Sequence, residues 1–259
     1  MCEVITSVPG VDFVNQNDLN SSLIIEKKKI AIVVQNIRSM RKNFDNFLVH
    51  LESSQINPDI IFLTEIWLYD DEIDNYKINN YVCHANCNNN YASGGVIVFC
   101  RNDIICDISN LPCNSADILR LDTFINERKV TFICIYSLHS QSITTFLSDI
   151  TIILNNLKNK NVVLLGDMII DILPPINENV SLDYLYLMSS FGFESLVNSV
   201  TRPSSGTCID HVFSRSLPCL NFNVTVNENN ITDHSMISIN LCQNILEKKV
   251  INNDYIKKN

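Results

Sequence analysis

The chain has 259 residues, of which 46% are hydrophobic, so it has enough apolar material for one large core or at most two small ones and is not disordered overall. Acidic residues outnumber basic ones by 28 to 19, and the net charge of −9 gives a surface that does not attract nucleic acid unaided. No apolar run approaches the roughly 18 residues needed to cross a bilayer, so we expect a soluble protein.

The first segment, 1–28, lacks clean periodicity and has neither the basic start nor the continuous apolar stretch of a secretory signal. Ten Cys are scattered along the sequence, several of them inside apolar runs, which favours a reducing compartment. Cys83 and Cys87 flank His84, but no second Cys/His pair at zinc-finger spacing follows, so we do not expect a metal site there. We predict a tail over 1–28 and an intracellular protein that is not secreted.

Short β-rich apolar runs alternate with amphipathic stretches along the next two hundred or so residues. Six runs suit buried strands, at 30–34, 60–63, 96–99, 130–136, 162–165 and 209–213. Apolar residues at helical spacing predict one helix around 44–51 and another over 143–157, each with an apolar face for packing. Because no internal repeat or linker interrupts the pattern, we predict a single layered α/β domain over 29–242, followed by a polar tail over 243–259.

Polar side chains follow several of these runs, at the points where the predicted strands end. They are Asn36, Glu65, Tyr136, Asp167, Asp210 and the neighbouring pair Asp233 and His234. In layered α/β folds such positions are the natural place for a site, because the strand fixes the residue and the following loop exposes it. Any one of them alone is more often a turn former or a helix cap, and His211 is more often a satisfied core residue than a catalyst. Their order and contexts together predict a site.

Six segments carry a family resemblance: QNIRSM, LTEIWL, ICIYS, LLGDMIID, TRPSSGTCIDHVF and TDHSMI. In order and spacing they resemble the motifs of the endonuclease/exonuclease/phosphatase superfamily, which has the DNase I-like fold. The resemblance is closest to the apurinic-type endonuclease domain of non-LTR retrotransposons, and it covers about residues 29–241. It implies a four-layer α/β sandwich, in which two mostly antiparallel sheets pack face to face with helices outside and the site lies in a cleft at one sheet edge.

The resemblance also implies a divalent-ion site and a set of phosphate contacts. Glu65 would be the principal ligand of Mg²⁺ or Mn²⁺, assisted by Asn36 and by Asp233 directly or through water, because hard oxygen ligands suit these ions. Tyr136 would donate its hydroxyl to the scissile phosphate, and Thr201 would hold a neighbouring phosphate. The expected cofactor is therefore Mg²⁺ or Mn²⁺.

The remaining roles implied by the resemblance concern the attacking water and the DNA. Asp167 would orient or deprotonate the water, with Asn36 also in a catalytic role. His234, kept in one tautomer by Asp210, would stabilise the phosphate charge with its other nitrogen. Arg202 would be one of a few local basic contacts with DNA. The implied partners are DNA and a reverse transcriptase domain in a longer polyprotein, with no membrane, and the implied location is the nucleus.

Two departures from the family pattern bear on activity. The GDFNID-type motif of the family reads GDMIID here and places Ile169 where a catalytic Asn is expected. Loss of one donor aimed at developing charge typically costs about 10²- to 10³-fold in rate. After Tyr136, the family commonly continues with Arg and Pro, whereas this chain has Ser137, Leu138 and His139, of which only His139 could replace the phosphate contact, and weakly.

Three functions therefore stay open at this stage. The first is a Mg²⁺-dependent DNA endonuclease that nicks one strand, with activity reduced by Ile169. The second is a catalytically inactive relative that binds DNA or a protein through the same cleft, which Ile169 and the acidic charge favour. The third is a phosphatase or phosphodiesterase acting on a small phosphorylated molecule, which a net charge of −9 tolerates better than duplex DNA.

Overall fold

The computed structural model describes residues 29–87, 93–173, 179–217 and 220–243. Within these ranges the chain forms twelve strands, three α-helices and one 3₁₀ helix. The predicted tail over 1–28 lies outside the described residues, as does all of the tail over 243–259 except its first residue, which ends the last strand. None of the described helices is long and apolar enough to span a membrane.

The strands are, in chain order, β1 (Lys29–Asn36), β2 (Ile60–Thr64), β3 (Tyr81–Asn86), β4 (Val96–Arg101), β5 (Cys106–Leu111), β6 (Ala116–Ile125), β7 (Arg128–Ser137), β8 (Val162–Asp167), β9 (Glu194–Ser195), β10 (Asp210–Arg215), β11 (Leu220–Asn227) and β12 (Met236–Gln243). The helices are α1 (Met40–Ser53), α2 (Ile143–Asn156) and α3 (Asn179–Ser190), with the 3₁₀ helix at Asp70–Asn75. The six predicted strands correspond to β1, β2, β4, β7, β8 and β10, and the two predicted helices to α1 and α2.

The twelve strands form two six-stranded sheets. The first has the order β11–β12–β1–β2–β4–β3 and the second has the order β5–β6–β7–β8–β10–β9. The pairs β1–β2 and β7–β8 are parallel, and the other neighbouring strands in the described residues are antiparallel. The expected mostly antiparallel sheets are therefore confirmed.

Side chains alternate between the two faces of the first sheet. Its apolar residues therefore contribute to two cores, one between the two sheets and one under α1. On β1, Ile32 and Val34 belong to the core shared with the second sheet, whereas Val33 packs with the residues under α1. The rings of Phe62 on β2 and Phe132 on β7 lie 6.1 Å apart, centroid to centroid, between the sheets. Successive strand residues point to opposite faces, so a run that is apolar throughout, such as that of β1, is buried on both sides.

The helices cover the outer faces of the sandwich. Helix α1 buries Phe44 and Phe47 against the first sheet, and α2 buries Phe146 and Ile150 in the core that includes the second sheet. The hydroxyl of Ser142 accepts a hydrogen bond from the backbone N–H of Thr145 and caps the start of α2. The layers run helix, sheet, sheet, helix, which confirms the expected four-layer sandwich.

Candidate active site

The predicted site residues converge where the parallel pairs of both sheets end. Asn36 is the last residue of β1, and Glu65 directly follows the neighbouring β2. In the second sheet, the strand register places Tyr136 beside Asp167 and Asp167 beside Asp210. Because the two sheets face each other, these strand ends lie on opposite walls of one cleft.

Asn36 joins the two walls directly. Its buried Nδ2 donates to Oε1 of Glu65 at 2.8 Å and to Oδ2 of Asp167 at 2.8 Å. Its Oδ1 accepts from the backbone N–H of Arg38 at 3.2 Å. One amide therefore separates two buried carboxylates that would otherwise repel each other, and it fixes their distance across the cleft.

Glu65, Asp167 and His234 form a group that could hold a metal ion. Each offers one ligand atom, and the three atoms lie within 4.8 Å of one another. Burial, followed by the nearby charge of Asp210, raises the pKa of Asp167 to about 7, although His234 and the Asn36 amide act in the opposite direction. A divalent cation would favour the ionised form of Asp167, and two carboxylates are the ligand type that hard cations prefer. In the described part of the chain this is the one such cluster.

His234 is held by a carboxylate of the second sheet. Its Nδ1 lies 2.8 Å from Oδ2 of Asp210, and both side chains are buried. Burial by itself lowers the pKa of His234, but the hydrogen bond and charge of Asp210, together with the charge of Asp167, outweigh it and raise the pKa. Nδ1 therefore donates to Asp210, and Nε2 makes no hydrogen bond within the described residues.

Asp233 is engaged by two arginines and lies outside the three-residue group. Nη1 of Arg38 is 2.6 Å from its Oδ1, while Nε and Nη2 of Arg202 are 2.9 Å and 2.8 Å from its Oδ2. Burial favours the neutral acid, but the hydrogen bonds from Arg38 and Arg202 outweigh it and lower the pKa of Asp233 to about 2. A role for Asp233 as an ion ligand stays a prediction, and it would require one of these ion pairs to open.

Arg38 was missed by the sequence reasoning, although it lies within the quoted QNIRSM segment. Its Nε is also 3.9 Å from Oε2 of Glu65, so Arg38 contacts both Glu65 and Asp233. The available signal was a basic residue two positions after a strand exit in an acidic chain. Arg38 and Arg202 together place positive charge beside the buried carboxylates, where a phosphate would approach.

Thr201 contacts the backbone of β10. Its buried Oγ1 accepts from the N–H groups of Ile209 and Asp210, both at 3.0 Å. These bonds position Asp210 under His234, which is a structural contribution that sequence reasoning did not anticipate. A contact between Thr201 and a phosphate stays a prediction.

Tyr136 is a buried phenol at the end of β7. Burial, followed by the negative charge of Glu65, raises its pKa, so the hydroxyl stays protonated and can donate to an anion. The ring of His139 lies edge-on to it at 6.4 Å, centroid to centroid. Sequence reasoning missed Asp117, which pairs with Tyr136 in register and accepts from the N–H of Gly95 at 2.7 Å. Burial raises the pKa of this carboxyl as well.

The turn after β8 carries the main departure from the family pattern. The N–H of Ile169 donates to Oδ1 of Asp167 at 3.0 Å, and Ile169 has a backbone φ of 60°. A β-branched residue in this left-handed region is strained by about 1–2 kcal/mol, whereas Asn adopts it readily. Just before this turn, a Cβ at Gly166 would lie 2.1 Å from the carbonyl oxygen of Ile135, so glycine is required there.

His211 lies in the core, as the sequence reasoning predicted. Its Nε2 is 3.1 Å from the carbonyl oxygen of Cys208, and its Nδ1 is 3.1 Å from the hydroxyl of Tyr184. The two rings stack with centroids 5.5 Å apart. Burial lowers the pKa of His211 to about 4, so it is neutral with Nε2–H as the donor and Nδ1 as the acceptor.

The fold and the site define a class: a DNase I-like sandwich with buried carboxylates and a histidine in the cleft between its sheets. The model of the endonuclease/exonuclease/phosphatase family matches residues 33–234, and the chain belongs to that family. The matched residues lie within the predicted domain of 29–242 and extend from β1 to His234.

Solved structures with this fold include nucleases from several sources. The endonuclease domain of TRAS1, a telomere-specific non-LTR retrotransposon, superposes with a TM-score of 0.64 at 12% identity and covers 83% of this chain and 99% of its own. The AP endonuclease LMAP of Leishmania major gives a TM-score of 0.66 at 13% identity, covering 91% and 93%. The 3'-5' exonuclease NExo of Neisseria meningitidis gives 0.60 at 16% identity, covering 81% and 98%. No curated protein matches the chain.

Proposed function

We propose that the protein is a DNA endonuclease that hydrolyses a phosphodiester with Mg²⁺ or Mn²⁺ and nicks one strand, as retrotransposon-type endonucleases do. The observation that carries the proposal is the Asn36 amide that links Glu65 to Asp167 beside His234. Family membership supports phosphodiester or phosphomonoester hydrolysis in general. The QNIRSM and CIDHVF segments resemble retrotransposon endonuclease motifs in sequence, which favours DNA over a small phosphorylated substrate.

Glu65 and Asp167 would hold the ion, with Asn36 setting the distance between them. When bound, a divalent ion supplies positive charge that polarises a phosphate oxygen. Glu65 has a backbone φ of 53°, so its side chain is placed by a strained backbone that the surrounding sandwich maintains. Such strain is common at functional sites because it fixes a side chain that an ordinary turn would leave mobile.

The chain's own groups would then act on the water and the phosphate. Asp167, the most deeply buried of the ion-binding carboxylates, would accept a proton from the attacking water or orient it. Tyr136 would donate its hydroxyl to the phosphate. His234, with Asp210 holding its Nδ1 proton, would stabilise the extra negative charge of the transition state from Nε2. The products would be either a 3'-hydroxyl and a 5'-phosphate end or a 3'-phosphate and a 5'-hydroxyl end.

The positive charge beside the cleft supports a nucleic-acid substrate despite the acidic surface. Arg38 and Arg202 are both partly exposed, with 41% and 29% of their side chains accessible, and both contact Asp233. An incoming phosphate would compete with Asp233 for these guanidinium groups. We also propose that the protein acts on DNA in the nucleus, as part of a polyprotein that carries a reverse transcriptase.

A catalytically inactive binding module is the second candidate, and Ile169 is the observation that favours it. Its side chain supplies no hydrogen bond at the position where the family pattern has an amide. The other predicted groups, including Asn36 and His234, are nevertheless in contact with partners that suit catalysis. We therefore propose reduced activity and not its absence.

Relaxation of supercoiled plasmid tests the proposal. We expect nicking only with Mg²⁺ or Mn²⁺, and a fall of at least about 10³-fold for Glu65→Ala, since the ion loses its main ligand. Glu52→Ala, at an exposed position on α1, is the matched control and should nick at the wild-type rate. Nicking that persists in excess EDTA, or an active Glu65→Ala protein, would contradict the proposal.

A further inference from the structure

The three residues from Glu65 to Trp67, called the Glu65 segment, are held by backbone hydrogen bonds on both sides. Glu65 and Trp67 have backbone φ values of 53° and 55°, and such left-handed backbone persists only where its surroundings enforce it. On the side of α1, the carbonyl oxygen of Glu65 accepts from the N–H of Ser39 at 3.0 Å. The next carbonyl oxygen, that of Ile66, accepts from the N–H of Met40 at the same distance.

Two consecutive glycines hold the other side of the Glu65 segment. The N–H of Trp67 donates to the carbonyl oxygen of Gly94 at 2.9 Å, and the N–H of Ile66 donates to that of Gly95 at 3.4 Å. The two glycines have φ values of 110° and 83°, which other residues rarely adopt. A Cβ on Gly95 would lie 2.7 Å from Cγ1 of Ile66, so a side chain there would displace the Glu65 segment. The position of this turn therefore sets the position of Glu65.

Asp117 on β6 reaches the glycine turn from the second sheet. Its register partner on β7 is Tyr136, and register partners project from the same face of a sheet. Oδ2 of Asp117 accepts from the N–H of Gly95 at 2.7 Å, and a Cβ on Gly94 would lie 2.8 Å from the same oxygen. The side chain is only 7% exposed. Asp117 therefore forms a bridge between the sheets at the cleft, in addition to the bridge that Asn36 makes.

The bond between Asp117 and Gly95 needs an acceptor oxygen and does not need a negative charge. Burial raises the pKa of Asp117, and the N–H of Gly95 lowers it by a smaller amount, so the surroundings do not favour the ionised form. An amide oxygen accepts from an N–H group as a carboxyl oxygen does. Asparagine at position 117 is therefore expected to keep the bridge, and alanine to lose it.

We propose that Asp117 is a positioning residue for Glu65, which acts through the Gly94–Gly95 turn and so strengthens binding of a divalent ion in the cleft. Without the acceptor, the N–H of Gly95 loses its partner, and the turn can move away from the Glu65 segment. Loss of a group that supports a metal ligand typically costs about 10- to 100-fold in metal affinity. The inference rests on the proposed function, because it takes Glu65 as a ligand of the ion.

Binding of Mn²⁺ to the full chain tests the proposal without any cleavage, with the electron paramagnetic resonance signal of the free ion as the readout. Asp117→Ala should weaken Mn²⁺ binding about 10- to 100-fold, whereas Asp117→Asn should restore an affinity close to that of wild type. Asp117→Glu displaces the acceptor by one methylene group and should lie between them, which keeps a test if the alanine variant does not fold. Unchanged affinity in Asp117→Ala, or equal losses in the alanine and asparagine variants, would overturn the proposal.

Trp67 is the single tryptophan of the chain, so its fluorescence reports on the Glu65 segment directly. In metal-free Asp117→Ala its emission maximum should shift to longer wavelength, because a loosened segment exposes the half-buried indole. Asp117→Asn should emit as the wild type does. An emission maximum that does not move in Asp117→Ala would overturn the proposal.

Asp122→Ala is the matched control, because it removes another buried carboxyl from the same strand. Asp122 accepts from Oγ1 of Thr131 at 2.6 Å and from Nη2 of Arg120 at 2.8 Å, and neither contact involves the glycine turn. The variant should lower the melting temperature but change neither the Mn²⁺ affinity nor the Trp67 emission. A loss of Mn²⁺ affinity as large as that of Asp117→Ala would show a general effect of destabilisation and would overturn the proposal.

Failure of this inference can be distinguished from failure of the proposed function. A protein that nicks plasmid, and that binds Mn²⁺ equally well as wild type and as Asp117→Ala, would keep the endonuclease and lose the role of Asp117. A protein that shows the expected Mn²⁺ affinities but does not nick plasmid would do the reverse. A wild-type protein that does not bind Mn²⁺ would overturn both.

Discussion

Strand β10 places two buried side chains next to each other in sequence and on opposite faces of the second sheet, with opposite consequences. Asp210 faces the cleft, where it accepts from Nδ1 of His234, and the pKa of that histidine is raised. His211 faces the core, where its partners are the neutral Tyr184 and a backbone carbonyl, and its pKa is lowered to about 4. Both histidines are buried, so the charge of the partner, and not burial alone, decides the direction in which the pKa of each histidine shifts.

The two histidines differ in the groups that surround their rings. The cleft face combines a carboxylate partner with a ring nitrogen that is left without a hydrogen bond, and it lies beside other ionisable groups. The core face satisfies both nitrogens and adds aromatic packing on Tyr184 and Phe213. The first arrangement can bind an anion, whereas the second stabilises the fold.

The largest effect on the nicking rate is expected when the hydrogen bond between Asp210 and His234 is removed. Asp210→Asn removes the carboxylate that accepts from Nδ1 of His234 and fixes the tautomer of its ring, and we expect single-turnover nicking to fall by about 10³-fold with little change in DNA affinity. His211→Gln, on the other face of the same strand, is the control for disturbance of β10. It should lower the melting temperature but retain most of the nicking rate. Equal loss of rate in both variants would show that the two faces are not distinct in function.

The next effect concerns the turn beside the cleft face. Ile169→Asn should raise nicking by up to about 10²- to 10³-fold in single-turnover rates, because it restores a donor near the developing charge. It should also raise the free energy of unfolding by about 1 kcal/mol, since Asn tolerates the φ of 60° that strains isoleucine.

A matched control separates these two effects of the asparagine. Ile105→Asn makes the same chemical change at a position that is 70% exposed and should alter neither the rate nor the stability appreciably. A vigorous wild-type enzyme with no gain in Ile169→Asn would show that another group already supplies the donor. Inactivity of both proteins would favour the binding module.

The smallest effect is expected on the core face and depends on pH. His211 titrates near 4 in the folded protein and near 6.5 when unfolded, so between these values the unfolded chain binds more protons. Stability should therefore fall as pH drops from 6.5 to 4, by up to about 3 kcal/mol for this residue. The difference in unfolding free energy between wild type and His211→Gln, measured by urea denaturation across that range, isolates the contribution. A difference that does not change with pH would contradict the neutral assignment of His211.

The sequence predicted the strands that are apolar on both faces and missed those that are not. β1 and β8 read as continuous apolar runs because both of their faces are buried. β6 contains Arg120 and the buried Asp122, which form an ion pair, and the two charges interrupt the apolar run from which a buried strand is predicted. β11 alternates polar and apolar residues at a sheet edge and was missed for a similar reason.

Apart from the contact between His234 and Asp210, which the family resemblance implied, the candidate site was predicted as a set of residues and not as a set of contacts. Asn36, Asp167 and His234 could be predicted as site residues, because the ends of apolar strands can be recognised in the sequence. The ion pairs of Asp233 and the backbone contacts of Thr201 could not be read in this way, since they depend on loops that approach from distant parts of the chain. The Asn36 bridge likewise depends on the packing of one sheet on the other.

We propose that the cleft binds a divalent ion between Glu65 and Asp167. A crystal of the protein soaked in Mn²⁺, measured for anomalous scattering, tests it most directly. We expect one strong anomalous peak within coordination distance of both carboxylates, and its loss in Glu65→Ala crystals. An absence of any peak in the wild-type cleft, or a peak that persists without Glu65, would contradict the claim.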